Sequence, residues 1–172
     1  CSSDLARYAD LVVVGQPDSE VPSAAVPRDL PEHVALMTER PVLVVPNAGA
    51  ARTPGKVVML TWNDSREASR AATAALPILE KAEKVVVLSV DPRTPDNIHG
   101  DPGVAMAQWL KRHGVNATLQ RDSAAESDVG SVILSRAADH DADLIVMGVY
   151  GHSRMREDRK STRLNFSHVS ES

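Results

Sequence analysis

The chain has 172 residues, a net charge of −4 and only 3% aromatic side chains. That is enough for one ordinary domain with a real core, and a mildly acidic, ring-poor composition is the opposite of what nucleic acid attracts. A single cysteine permits no internal disulfide, which suits a reducing compartment, and no apolar run reaches the length of a membrane span.

In chain order, residues 4–8 read as the tail of a helix and 11–14 as a buried strand. Residues 16–28, rich in Pro and Ser, read as a loop. A modest helix is expected over 30–40, capped by Asp29, with Leu30, Val34 and Met37 on one face. Residues 42–45 form the next strand, and 49–55, holding Gly49, Pro54 and Gly55, read as a linker. A strand over 57–62 then meets Asn63-Asp64-Ser65, where Asp64 and Glu67 have capping-box spacing. The helix expected over 65–81 places Ala68, Ala71, Ala72, Ala75 and Leu79 on one stripe, with Pro77 as an interior defect. After a strand at 85–90 and a loop, Asp101-Pro102 opens a helix with Pro at its first position. That helix carries Val104, Met106, Trp109 and Leu110, and Gly114 ends it. A strand at 115–119 follows. A helix from Ser127 or Asp128 turns Ile133, Leu134, Ala137 and Ala138 inward, and a strand closes the series at 144–147.

Apolar strands alternating with helices, on connections long enough for crossovers, call for an α/β fold: a doubly wound parallel sheet with helices on both faces. Ligands on such sheets bind outside the carboxyl ends of the strands. The positions to watch are 63–65, 89–91 and 148–153.

A repeat runs through the chain. Residues 9–15 read ADLVVVG and 142–148 read ADLIVMG, with five of seven positions identical at an offset of 133 residues (142 − 9). On that offset the counterpart of the strand beginning near Pro41 falls at position 174, past Ser172. With Cys1 rather than Met in first place, the sequence is expected to be a fragment. It would hold the end of one domain (1–48), a linker (49–55) and a second domain (56–157) lacking its last strand.

Three stretches carry a family resemblance: VVMLTWNDSREASRAATAAL at 57–76, EKVVVLSV at 83–90, and SRAADHDADLIVMGVYGHSRMRE at 135–157. Together they resemble the universal stress protein family. The resemblance implies a five-stranded doubly wound sheet of the adenine-nucleotide alpha-hydrolase-like kind. It also implies a cytoplasmic protein, a homodimer or an intramolecular pairing of tandem domains, and a non-catalytic role in stress response. No membrane or nucleic-acid partner is expected.

Some members of that family bind ATP and others do not. Binders carry Gly-x2-Gly-x9-Gly-[Ser/Thr] after the fourth strand and an Asp after the first. Here Gly148 and Gly151 match the first two glycines, Ser161 stands at the third, and Asn63 replaces the Asp. The positions the resemblance assigns to nucleotide contact are Asn63, Val90, Met147, Gly148, Gly151, His152 and Ser153. Each has a plainer reading. Gly148 and Gly151 would serve a tight turn needing positive φ, Ser153 would cap a helix, and His152 would sit on the surface. Trp62 would be core rather than an adenine wall. The alternative to the non-catalytic reading is therefore an ATP-binding switch with slow hydrolysis.

Residues 158–172, DRKSTRLNFSHVSES, carry neither a helical stripe nor a strand run. They resemble the translation of a common sequencing-adapter oligonucleotide, which implies a non-native tail; a disordered basic tail is the other reading. Lys160-Ser161-Thr162 is no P-loop, because Arg159 stands where that loop needs glycine. An ATP pyrophosphatase would need a glycine-bearing loop after the first strand, and Trp62-Asn63-Asp64-Ser65 has none. His99, Asp96 and Asp101 lack metal-ligand spacing.

Overall fold

The computed structural model describes residues 8–16, 30–38, 40–46, 53–91, 101–124 and 128–149. The Asp29 cap, Ser127, Gly151, His152, Ser153 and the tail from Asp158 lie outside them. The elements are β1 (Val12–Gly15), α1 (Leu30–Thr38), β2 (Val42–Val45), β3 (Val57–Thr61), α2 (Arg66–Leu79), β4 (Lys84–Val90), α3 (Pro102–Arg112), β5 (Ala117–Asp122), α4 (Val129–Asp139) and β6 (Leu144–Val146). The strands form two parallel sheets, a two-stranded β1-β2 and a four-stranded β5-β4-β3-β6.

The four-stranded sheet is the expected α/β arrangement. Side chains alternate across its strands. Val58 and Leu60 on β3, with Val85 and Val87 on β4, meet Ala72 and Leu79 of α2 and Met106 and Leu110 of α3 on one face. Met59, Val86 and Leu88 meet Ile133 and Ala137 of α4 on the other. The core strands are essentially sealed from water, which is why they read as unbroken aliphatic runs. The small-residue stripe of α2 lies inward as its spacing predicts, with Ala68, Ala72, Ala75 and Leu79 buried.

Helix ends follow local chemistry. Asp101 caps α3 by accepting from the amides of Gly103 at 2.7 Å and Val104 at 3.3 Å, with Pro102 at the first helical position. At the other end Gly114 takes a φ of 77°, while its amide bonds Lys111 and that of Val115 bonds Leu110. That pair of bonds is a Schellman motif, and only glycine enters that conformation cheaply. The same pair closes α4, from Asp141 to Ala138 and from Ala142 to Ala137, with Asp141 held at φ 51°.

Several expectations are corrected. The strand expected at 115–119 is β5, two residues later, because Val115 is consumed by the helix-ending motif. The helix expected to reach Lys81 stops at Leu79, and that expected to reach Arg40 stops at Thr38. On α4 only Ile133 and Ala137 are buried; Leu134 is 65% exposed and Ala138 is on the surface. On α1, Met37 is exposed. Among the described residues no helix is long and apolar enough to cross a membrane.

The Asp101 cap carries a pH prediction. The Arg121 guanidinium hydrogen-bonded to its carboxylate, together with the two amides, holds the Asp101 pKa below its usual 3.8 against the opposing effect of burial. A carboxyl whose pKa is lowered by folding stabilises the fold above its unfolded pKa and loses that contribution as pH falls through the folded value. Asp101→Asn keeps a capping oxygen but not the charge. Wild type is therefore expected to exceed the variant in stability at neutral pH, with the gap closing below about pH 4. Urea titrations across that range measure it.

Candidate functional site at the strand ends

In an open parallel sheet the ligand crevice lies where the strand order reverses. Here the chain steps from β3 to β4 to β5 on one side, and β6 then joins β3 on the other. The residues leaving β3 and β6 are thus brought together. Asn63 follows β3, Met147 and Gly148 follow β6, and Thr61 Oγ1 bridges the two strands by donating to the Val146 carbonyl at 3.3 Å. Val90 ends β4, one strand further across, and packs beside the α4 face of the core.

The turn after β3 is a relay of hydrogen bonds. Asp64 takes a φ of 59°, and the Asn63 side chain folds forward over it. Asn63 Oδ1 accepts from the Ser65 amide at 3.2 Å and from Ser65 Oγ at 2.7 Å. A backbone amide can only donate, so the atom facing it is the carboxamide oxygen. Ser65 Oγ in turn accepts from the Ala68 amide at 3.1 Å, which makes Ser65 the cap of α2. The capping box expected from Asp64 and Glu67 does not form, because Asp64 stands one residue too early. Asn63→Ala is expected to cost about 1 kcal/mol, the usual loss for a broken cap. Asn63→Asp should restore it, since a carboxylate accepts the same two bonds and suits a helix N-terminus. Chemical denaturation of both variants checks this.

Gly148 is a glycine for a reason that spacing does not reveal. Among the described glycines, positive φ occurs at Gly55 and Gly114, not at Gly148. The turn argument for this residue is therefore overturned. A Cβ at Gly148 would lie 2.7 Å from the Ala68 nitrogen and 2.7 Å from the Glu67 carbonyl carbon. The chain leaving β6 presses directly on the first turn of α2.

Trp62 belongs to the core between the sheet and α2 and α3, with 8% of its surface exposed. Its indole N–H is buried and finds no acceptor among the described residues. The rim beyond β4 and β5 is closed by side chains. Asp91 accepts from Ser123 Oγ at 2.6 Å and from the Ala124 amide at 3.1 Å. Arg136 pairs with Asp122 and, at 2.7 Å, with Asp139. The Arg136 hydrogen bond holds the Asp122 pKa below the usual carboxylate value, and the same bond raises that of Arg136.

At the described strand ends several groups are already engaged. The side of Gly148 that a Cβ would occupy is filled by α2, the Asn63 oxygen is committed to Ser65, and the Ala68 amide is committed to the cap. A groove of about 490 Å³ opens instead between α3 and β5, lined by Val104, Lys111, Gly114, Asn116 and Leu119 among others. It lies toward the amino end of β5, and none of the seven nucleotide-contact positions lines it. No family model matches the sequence, and no curated protein matches it.

Proposed function

We propose that the chain is a non-catalytic module of the universal stress protein kind, acting by pairing with a partner or a second copy rather than by nucleotide chemistry. One observation supports this above the others. At the switch point Asn63, the Ser65 hydroxyl and the Ala68 amide are bonded in series, and Gly148 is packed against the first turn of α2. The arrangement of strands, with β3 between β4 and β6, is the doubly wound order this reading requires. Cytoplasmic location and dimer formation belong to the same proposal.

The second reading, an ATP-binding switch, draws on the convergence of Asn63, Met147 and Gly148 at the reversal of strand order. Calorimetric titration of the full chain with ATP and magnesium separates the two. The first reading expects no saturable heat up to millimolar ATP. Magnesium-dependent binding at micromolar concentration would overturn it.

A further inference from the structure

The groove between α3 and β5 has a direction. At the amino end of α3 it is tight: a Cβ at Gly103 would lie 2.8 Å from Leu119 Cδ1, so the missing side chain lets the helix close down on β5. At the other end nothing lies within 4 Å of a Cβ at Gly114, and the space opens outward. Helical spacing puts Val104, Ala107, Gln108 and Lys111 on the face of α3 that borders the groove.

Its chemistry follows the same axis. The tight end is apolar, with Val104 on the helix and Leu119 on the strand, and the charges beside it, Asp101 and Arg121, are spent on each other. The open end holds Lys111 and Asn116. Among the described residues Lys111 is the one charged group lining the groove, and no described acid pairs with it. A helix C-terminus favours a cation at this position. Here the carbonyls of Leu110 and Lys111 are already closed by the amides of Val115 and Gly114, which leaves the ammonium able to meet an anion from outside.

We propose that this groove binds a small amphiphile with an anionic head, a medium-chain carboxylate, its head group at Lys111 and Asn116 and its tail along Val104 and Leu119. Val104 and Lys111 lie about 10 Å apart along the helix, which suits a medium chain and lets a long one overhang. A volume of about 490 Å³ is that of an ordinary small-molecule site. The groove lies away from the carboxyl ends of the strands, so the proposal stands or falls independently of the nucleotide titration.

Titration of the full chain with decanoate, held below its micelle concentration and followed through the backbone amide resonances, tests it. Saturable shifts are expected at Val104, Lys111, Asn116 and Leu119. Decyltrimethylammonium, with the same tail and the opposite head, should bind about tenfold more weakly or worse, the worth of one charge-assisted contact. Lys111→Glu should reverse that preference, and Val104→Asp should lose both ligands. Both side chains are exposed, so the fold is expected to survive; if a variant loses its circular dichroism spectrum, the two ligands on the wild type alone decide. Shifts absent from the groove, shifts spread over the whole surface, or equal affinity for the two head groups would each overturn the proposal.

Discussion

Asp143→Ala is expected to lose about 3 kcal/mol of stability, the largest effect of any polar substitution considered for this chain. The Asp143 carboxylate accepts from three consecutive amides, those of Gly55 at 2.8 Å, Lys56 at 3.1 Å and Val57 at 3.3 Å. Its own amide donates to the Val57 carbonyl at 2.9 Å. The residue thus fastens the start of β6 to the start of β3. Removing the carboxylate leaves the part-buried amides of Gly55 and Val57 short of an acceptor, and an unmade bond costs more than a made one contributes. Asp143→Asn keeps one oxygen and should lose about half as much. Urea denaturation gives the magnitudes, and amide exchange at Gly55 and Val57 should quicken in the alanine variant. Unchanged exchange there would show that the clamp does not hold the strand.

Gly148→Ala is expected to cost about 2 kcal/mol, and Gly148→Val more, because the new Cβ meets the backbone of Glu67 and Ala68 rather than a yielding side chain. Gly114→Ala provides the contrast. Nothing lies within 4 Å of a Cβ at Gly114, but its φ is 77°, so its cost of about 1 kcal/mol is purely conformational. Trimming Glu67 to Ala leaves both costs in place, because the atoms that a Cβ at Gly148 would meet are backbone and the Glu67 Cβ, which alanine keeps. A Gly148→Ala cost no larger than that of Gly114→Ala would remove the steric account of Gly148.

The strands of this fold were legible because buried parallel strands cannot hide: VVML and KVVVLSV have no solvent face to write in polar letters. Caps built from one residue were legible too, as at Asp101-Pro102 and Gly114. The start of α2 was not, because Asn63, Asp64 and Ser65 can each cap a helix and the left-handed backbone of Asp64 decides among them. Leu134 was misplaced because α4 buries a narrow seam around Ile133 and Ala137, and apolar spacing alone does not mark where that seam ends. As for the candidate site, the alternation of elements located the strand ends. It did not show whether the groups there were available. The packing of Gly148 on α2 and the reach of Asp143 to an amide 88 residues away are tertiary facts, with no local signature in the sequence around either residue.

The reversal of strand order at β3 also governs how the molecule is made. On the ribosome β3, α2, β4, α3 and β5 emerge in an order that lets each strand dock beside the one before it. The other flank of β3, and the face of Met59, Val86 and Leu88, must wait for α4 and β6. The nascent chain therefore fills the second flank of β3 last, through contacts such as Asp143 to Val57 that span 86 residues. Until then a water-averse surface stands open to chaperones and to other nascent chains.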